Sequence, residues 1–336
     1  MPRPLIALCT LYVAACTSAP EREAPTCGTP GDVAAAADIT VTSRDALVEA
    51  RGTDFAAWTF DGDVPGPVWR IPLGETRRIK LVNQSPRATS LHFHGLSYAA
   101  SDDGSPEQPT SMVEPGCAHV YTMRAVAPGV WPYHSHRESR TELAFGLYGA
   151  VVVPAPGEPA VDHEFVALLG QLGLEGEAKA AGGEEGEAEG HSHKPTGRAD
   201  DDEGGGEAAF FMTINGRPGE DAKVIELAGE QYVASSEKAA VATAKVGQRV
   251  RWRVANVSPD DAHTFHIHGH RWCETGVPDA QGGCLGNRPV IDNPSLLPSQ
   301  GITVEYVEDA PGTWMYHCHV IDHVNDGMYA FYKVEP

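Results

Sequence analysis

Pro311-Gly312-Thr313-Trp314-Met315-Tyr316-His317-Cys318-His319 repeats, 183 residues on, Pro128-Gly129-Val130-Trp131-Pro132-Tyr133-His134-Ser135-His136. Working outward, Leu91-His92-Phe93-His94-Gly95 returns as Phe265-His266-Ile267-His268-Gly269, and residues 72–83 parallel residues 245–256. The copies keep order and nearly keep spacing, so the chain holds two versions of one unit. Its runs are strand-like: RRIKLVN, HVYTMRAV, LYGAVVVP, then RVRWRVANV, ITVEYVE and MYAFYKV. They alternate or are β-branched and are separated by Pro, Gly and Asn/Asp turns, with no long helical period. An all-β protein of two sandwich domains is expected.

Each copy carries two His-x-His pairs. On a strand, residues i and i+2 point to one face, about 6–7 Å apart, so both imidazoles can serve one metal cluster. One pair is weak evidence, because two histidines on a sheet face are usually only solvated. Four pairs at equivalent places are different, and eight imidazoles exceed what one metal accepts. A multinuclear site is therefore expected.

The second copy has more. His263 lies three residues before His266, and His323 and Met328 follow Cys318 in a Cys-x4-His-x4-Met spacing. One thiolate, two imidazoles and a weak thioether make a blue-copper electron-transfer site. Alternation puts Cys318 on one strand face and its flanking histidines on the other, so one residue wires this site to the cluster. At the equivalent places the first copy has Thr89, Ser135, Arg140 and Phe145. It keeps its cluster histidines and has lost the electron-entry site.

The motifs His-x-His-Gly, His-x-His, His-x-x-His-x-His-Gly-His-Arg-Trp and His-Cys-His-x3-His-x4-Met together resemble those of the multicopper oxidases. The likeness is to the bacterial two-domain laccases with blue copper in the second domain, and covers about residues 55–155 and 209–336. It implies two cupredoxin-like Greek-key β-sandwiches and four coppers per chain. By resemblance, His263, Cys318, His323 and Met328 hold the type 1 copper, and His92 and His266 the type 2 copper. His94, His134, His136, His268, His317 and His319 hold the type 3 pair, while His270 is not a ligand. Asp103 and Asp292 match acids that supply protons, and Tyr98 an auxiliary electron donor. The resemblance also implies a homotrimer with the cluster divided between neighbouring subunits.

Composition bounds the rest. The 336 residues suit roughly two domains at about 150 each, and the net charge of −21 argues against nucleic acid or an anionic membrane surface as partner. Residues 1–16 read as a secretory signal, with Val13-Ala14-Ala15-Cys16 resembling a lipoprotein box; no other apolar run has membrane length. Export to an envelope or periplasmic compartment permits disulfides. Of three pairings open to Cys27, Cys117, Cys273 and Cys284, we expect Cys27–Cys117 and Cys273–Cys284. Residues 171–209 hold eleven Asp/Glu, three Lys/Arg and ten Gly, and read as an acidic linker that also carries His191 and His193. The expected organisation is thus a signal (1–16), an N-terminal extension (17–54), a first domain (55–169), an insert (170–209) and a second domain (210–336).

The leading expectation is a copper oxidase coupling one-electron oxidation of phenol-like donors to reduction of O2 to water. A metallo-oxidase acting on Cu(I), Fe(II) or Mn(II) is the nearest rival, and only six Met argue mildly against Cu(I) specialisation. A copper nitrite reductase shares the two β-domains, but by resemblance its type 2 site needs only three histidines and its blue copper belongs to the first domain. A non-catalytic electron-carrier or copper-storage lipoprotein is the remaining alternative.

Overall fold

Strand pairing in the computed structural model makes the repeat visible. The structure describes Cys27 and residues 36–174, 210–228, 231–234, 241–273 and 289–336. The expected signal with Cys16, residues 175–209 with His191 and His193, and Cys284 lie outside the described residues.

In the first domain a five-stranded sheet runs in the order Thr53–Phe60, Ile39–Ala50, Thr76–Asn83, Ala118–Ala125, Leu96–Ser97. A four-stranded sheet, Val68–Arg70, Tyr148–Val153, Gly129–His134 and His92–Phe93, completes the sandwich. Between them pack Ile79, Leu81, Tyr121, Met123, Phe93 and Tyr133. The second domain repeats the plan with Arg249–Asn256 and Gly301–Val307 in one sheet and Tyr329–Glu335, Gly312–His317 and His266–Ile267 in the other. Its core centres on Trp252, Phe265, Tyr316 and Tyr332. The chain is all-β, as expected.

The structure moves two domain boundaries. Ile39–Ala50, inside the expected N-terminal extension, runs parallel to Thr76–Asn83, with Val41 opposite Leu81. His163–Leu172, assigned from sequence mostly to the first domain and partly to the insert, runs parallel to Arg249–Asn256 in the second, with Phe165 opposite Trp252. Each is the opening strand of its own sandwich, and it pairs where its apolar face can be buried. The expected Cys27–Cys117 disulfide is present. Cys273 is also disulfide-bonded, and Cys318 is a buried free thiol.

Alternation in Arg249–Asn256 sends Val250, Trp252 and Val254 into the second core. The opposite face would ordinarily meet water, yet Arg251 and Arg253 are 3% and 2% exposed, because the Gly129–His134 strand of the first domain packs over it. Glu305 accepts from Arg251 at 2.7 Å, and Glu164 and Glu158 accept from Arg253 at 2.7 and 2.6 Å. Buried guanidinium groups require such partners. The approach is close enough that a Cβ on Gly301 would lie 2.1 Å from the Val130 carbonyl oxygen.

Candidate metal centre

The Cys318 site is assembled from three segments. Cys318 follows the Gly312–His317 strand, His323 lies in the single helical turn Ile321–Asn325, and His263 opens a two-residue strand paired with Ser295–Leu296. The Cys318 amide donates to the Met328 carbonyl at 3.1 Å and the Met328 amide to that of His323 at 2.8 Å. One helical turn between two such bonds is what the Cys-x4-His-x4-Met spacing encodes. Met328 is fully buried in the same core cluster as Cys318.

Nδ1 of His263 and Nδ1 of His323 are 3.0 Å apart, and Cys318 Sγ lies 3.7 and 3.6 Å from them. A point equidistant from the three atoms is about 2.0 Å from each, near the roughly 2.0–2.3 Å at which first-row metal ions sit from imidazole nitrogen and thiolate sulfur. Burial holds His263 down to about 3, so its imidazole is neutral and offers a lone pair at neutral pH. Its Nε2 is engaged by the Ser258 hydroxyl at 2.6 Å, which turns Nδ1 toward the thiol. The Thr264 amide donates to Sγ at 3.4 Å. Sequence reasoning missed Ser258 and Thr264, and only the motif neighbour Thr264 carried any signal.

Two histidine quartets flank these elements. In the first domain, strand pairing sets His92 opposite His134, and ligand atoms of His92, His94 and His134 converge within 4.8 Å. His136 joins through its ring, 4.7 Å from that of His92. In the second, His266 lies opposite His317, His266, His268 and His317 converge likewise, and the His319 ring is 5.4 Å from that of His266. Nε2 atoms of His94 and His134 are 3.1 Å apart, and those of His268 and His317 are 3.0 Å apart.

Backbone carbonyls choose the tautomers. Nδ1 of His92 faces the Asp103 carbonyl at 2.8 Å and Nδ1 of His266 the Asp292 carbonyl at 2.9 Å. Nδ1 of His134 and of His317 face the Ser135 and Cys318 carbonyls, both at 2.7 Å. A carbonyl only accepts, so each Nδ1 carries the proton and each Nε2 presents its lone pair. Burial draws His94 down to about 4 and His134 to about 3, and lowers His92, His268 and His317 as well. Neutral imidazoles converging through Nε2, beside a buried thiol converging with two Nδ1 atoms, fit copper.

The quartets are not joined. Among the described residues no ring contact or hydrogen bond links one to the other, and His268 and His319 are exposed. Asp103 lies beside His92, its Oδ1 3.6 Å from Nδ1. Burial pushes its carboxyl up, but hydrogen bonds from Ser105 and Tyr98 and the nearby His92 outweigh this and hold it below the usual range. Tyr98 has its ring 6.3 Å from that of His92, and burial with the Asp103 charge pushes it up to about 12. Asp292 meets His266 through its carbonyl, while its carboxylate is exposed and 3.9 Å away.

In the first domain the place of the Cys318 site is closed by hydrogen bonds. Thr89 donates to Ser135 at 3.1 Å, and Ser135 to the buried Glu142 carboxylate at 2.7 Å. The amides of Arg137 and Glu138 also donate to Glu142, both at 2.9 Å. Arg140 turns outward to Asp260 at 2.6 Å, and Phe145 stacks on Trp58. Glu142 is a third residue that sequence reasoning did not find.

Comparison with known proteins agrees with this duplicated, metal-ready plan. The chain is 29% identical over 317 residues to a probable nitrite reductase-hydroxylamine oxidoreductase fusion protein of Kuenenia stuttgartiensis, covering 89% of this chain and 32% of that one. It is 30% identical over 291 residues to a copper-containing nitrite reductase of Neisseria gonorrhoeae, covering 84% of this chain and 64% of that one. It thus spans less than two thirds of either relative. A crystal structure described as a multicopper oxidase shares the fold with a TM-score of 0.64, at 24% identity over 88% of each chain. Family models described as multicopper oxidase match residues 42–158 and 211–336, one on each sandwich, and with the histidine and cysteine sites in both places the chain belongs to the multicopper oxidase family.

Proposed function

We propose that the chain is a laccase-like oxidase, coupling four one-electron oxidations of phenolic or similar donors to reduction of O2 to water. The observation that carries this is the junction at Cys318. Its thiol belongs to the His263/His323 site, while its carbonyl accepts from Nδ1 of the cluster histidine His317 at 2.7 Å. Bonded neighbour and hydrogen-bond partner are the same residue, so the entry site and the quartet are joined by a short covalent route and a parallel hydrogen-bonded one. When bound, four coppers per chain would supply the one-electron storage and the oxygen chemistry. His263, Cys318, His323 and Met328 would hold the first. His92 and His266 would hold the type 2 ion, and His94, His134, His136, His268, His317 and His319 the type 3 pair.

Asp103 stands ionised at neutral pH with its side chain 27% exposed, so it can take a proton from solvent beside His92. Tyr98 donates to that carboxylate and stands ready as an auxiliary electron donor, and Asp292 fills the second-domain proton role. Because each quartet is half of a cluster and the halves do not meet in one chain, the complete site forms between subunits of a homotrimer, in an exported and lipid-anchored protein.

Nitrite reduction is the second reading, favoured by the named activities of the relatives. Against it stand four histidines in each quartet, and a first-domain pocket closed by Thr89, Ser135 and Glu142. The deciding experiment measures O2 uptake with phenols, Cu(I), Fe(II) and Mn(II), and anaerobic nitrite loss, on one preparation of known copper content. O2 uptake with phenols and about four coppers per chain is expected. Nitrite loss without O2 uptake would overturn the proposal, uptake with a metal ion alone would move the donor to that ion, and an active monomer in gel filtration would overturn the divided cluster.

A further inference from the structure

His270 follows two cluster histidines and is not counted among the ligands. Its buried imidazole bonds the His268 carbonyl through Nδ1 at 2.7 Å, across the left-handed Gly269 (φ +74°). Nε2 lies 3.1 Å from Oε2 of Glu308, whose side chain is wholly buried and also accepts from the Tyr332 hydroxyl. The rings of Tyr306, Trp314 and Tyr332 surround the imidazole at 5.1–5.7 Å.

The first domain is an internal control. Ala125 occupies the backbone position of Glu308. The Gly74 amide donates to the Ala125 carbonyl at 2.8 Å, as the Gly247 amide does to that of Glu308 at the same distance. Leu96 stands where His270 stands, two residues past its cluster histidine. The same sandwich therefore closes with hydrocarbon at these positions, and the fold does not require a buried imidazole and carboxylate, which are costly to desolvate.

What differs is how the chain after the cluster histidine is held. In the first domain Leu96–Ser97 pairs with Ala118–Ala125, setting Leu96 opposite Ala125 in a backbone ladder. The His268 amide donates to the Met315 carbonyl at 2.9 Å, as the His94 amide does to that of Pro132 at 3.0 Å. Among the described residues, however, no strand pairs with residues 269–271, and the His270–Glu308 side-chain bond stands where Leu96 meets Ala125. We propose that His270 and Glu308 are positioning residues that replace the missing ladder, fixing the His268-Gly269 turn and aiming His268 Nε2 at His317 in a half-site that one chain leaves exposed. This rests on His268 being a cluster ligand.

The test compares the metal-free full chain with His270→Leu/Glu308→Ala, which installs the first-domain pair, with Glu308→Ala, and with Glu308→Gln, which keeps an acceptor. Amide hydrogen exchange over residues 267–271 should be about ten-fold or more faster in the first two and near wild type in Glu308→Gln, with residues 94–97 unchanged. On copper loading, the first two should bind fewer ions per chain while the blue band of the Cys318 site keeps its intensity. Unchanged exchange in the double variant, equal exchange in Glu308→Gln and Glu308→Ala, or parallel loss of the blue band would each overturn the proposal. Wild-type protein that takes up no cluster copper would instead defeat the oxidase assignment, leaving the exchange result to be read alone.

Discussion

Ser258→Ala tests how the electron-entry site is aimed. The hydroxyl sits 2.6 Å from Nε2 of a fully buried His263 and is its only hydrogen-bond partner on that side among the described residues. Removing it leaves one buried imidazole nitrogen unsatisfied, at a cost of about 1–3 kcal/mol. The ring then loses the hydrogen bond that holds the geometry bringing Nδ1 to 3.7 Å from Cys318 Sγ and 3.0 Å from His323. Outer partners of ligating histidines typically contribute about 10–100-fold in metal affinity, or roughly 1.4–2.7 kcal/mol. The two ranges overlap, so loss of this one hydrogen bond is large enough for an effect of that size. Chelator competition, followed through the blue band, should show affinity falling by about 10–100-fold, with Ser258→Thr restoring most of it. An affinity within two-fold of wild type in Ser258→Ala would refute the assignment of Ser258 as the group that orients His263.

Cys318→Ser should abolish the blue band while the cluster copper remains, since both quartets keep all eight imidazoles; copper analysis with absorbance checks it. Gly301→Ala should destabilise by about 1–3 kcal/mol through overpacking against the Val130 carbonyl, read as a lower midpoint in denaturant. The metal-free chain should lose stability in acid. Burial lowers the folded-state pKa of His94 to about 4 and of His134 and His263 to about 3, against 6.5 unfolded. Their contribution is complete above pH 6.5 and is lost as pH falls toward 3–4, with His263 alone accounting for about 3–5 kcal/mol. Denaturant titrations of the metal-free protein at pH 7, 5.5 and 4.5 check the slope.

Local chain geometry explains how much was legible beforehand. Period-two alternation places His92 with His94, and His266 with His268, on one face whatever the rest of the molecule does. The Cys318-x4-His323-x4-Met328 loop is likewise a property of one helical turn. Domain boundaries were less legible, because the parallel partners that place Ile39–Ala50 and His163–Leu172 in their sandwiches lie 40 and 87 residues away, Ile39 opposite Ile79 and His163 opposite Val250. The alternating Arg251 and Arg253 suggest a solvent-facing side of a strand; the other domain buries them, and no local pattern records that.

The sequence by itself determined the duplication, the all-β class, and which copy kept the cysteine site, because repeats and strand periodicity are written in neighbouring residues. Tertiary structure alone decided which nitrogen His92, His266 and His263 present, whereas His134 and His317 each bond the carbonyl of the next residue. Carbonyls of Asp103, Ser135, Asp292 and Cys318 turn the cluster imidazoles to Nε2, and Ser258 turns His263 to Nδ1. It also decided that, among the described residues, no ring contact or hydrogen bond joins the two quartets. The bonds of His92 and His266 join residues 11 and 26 positions apart, and such a hydrogen bond is set by distance in space, not along the chain.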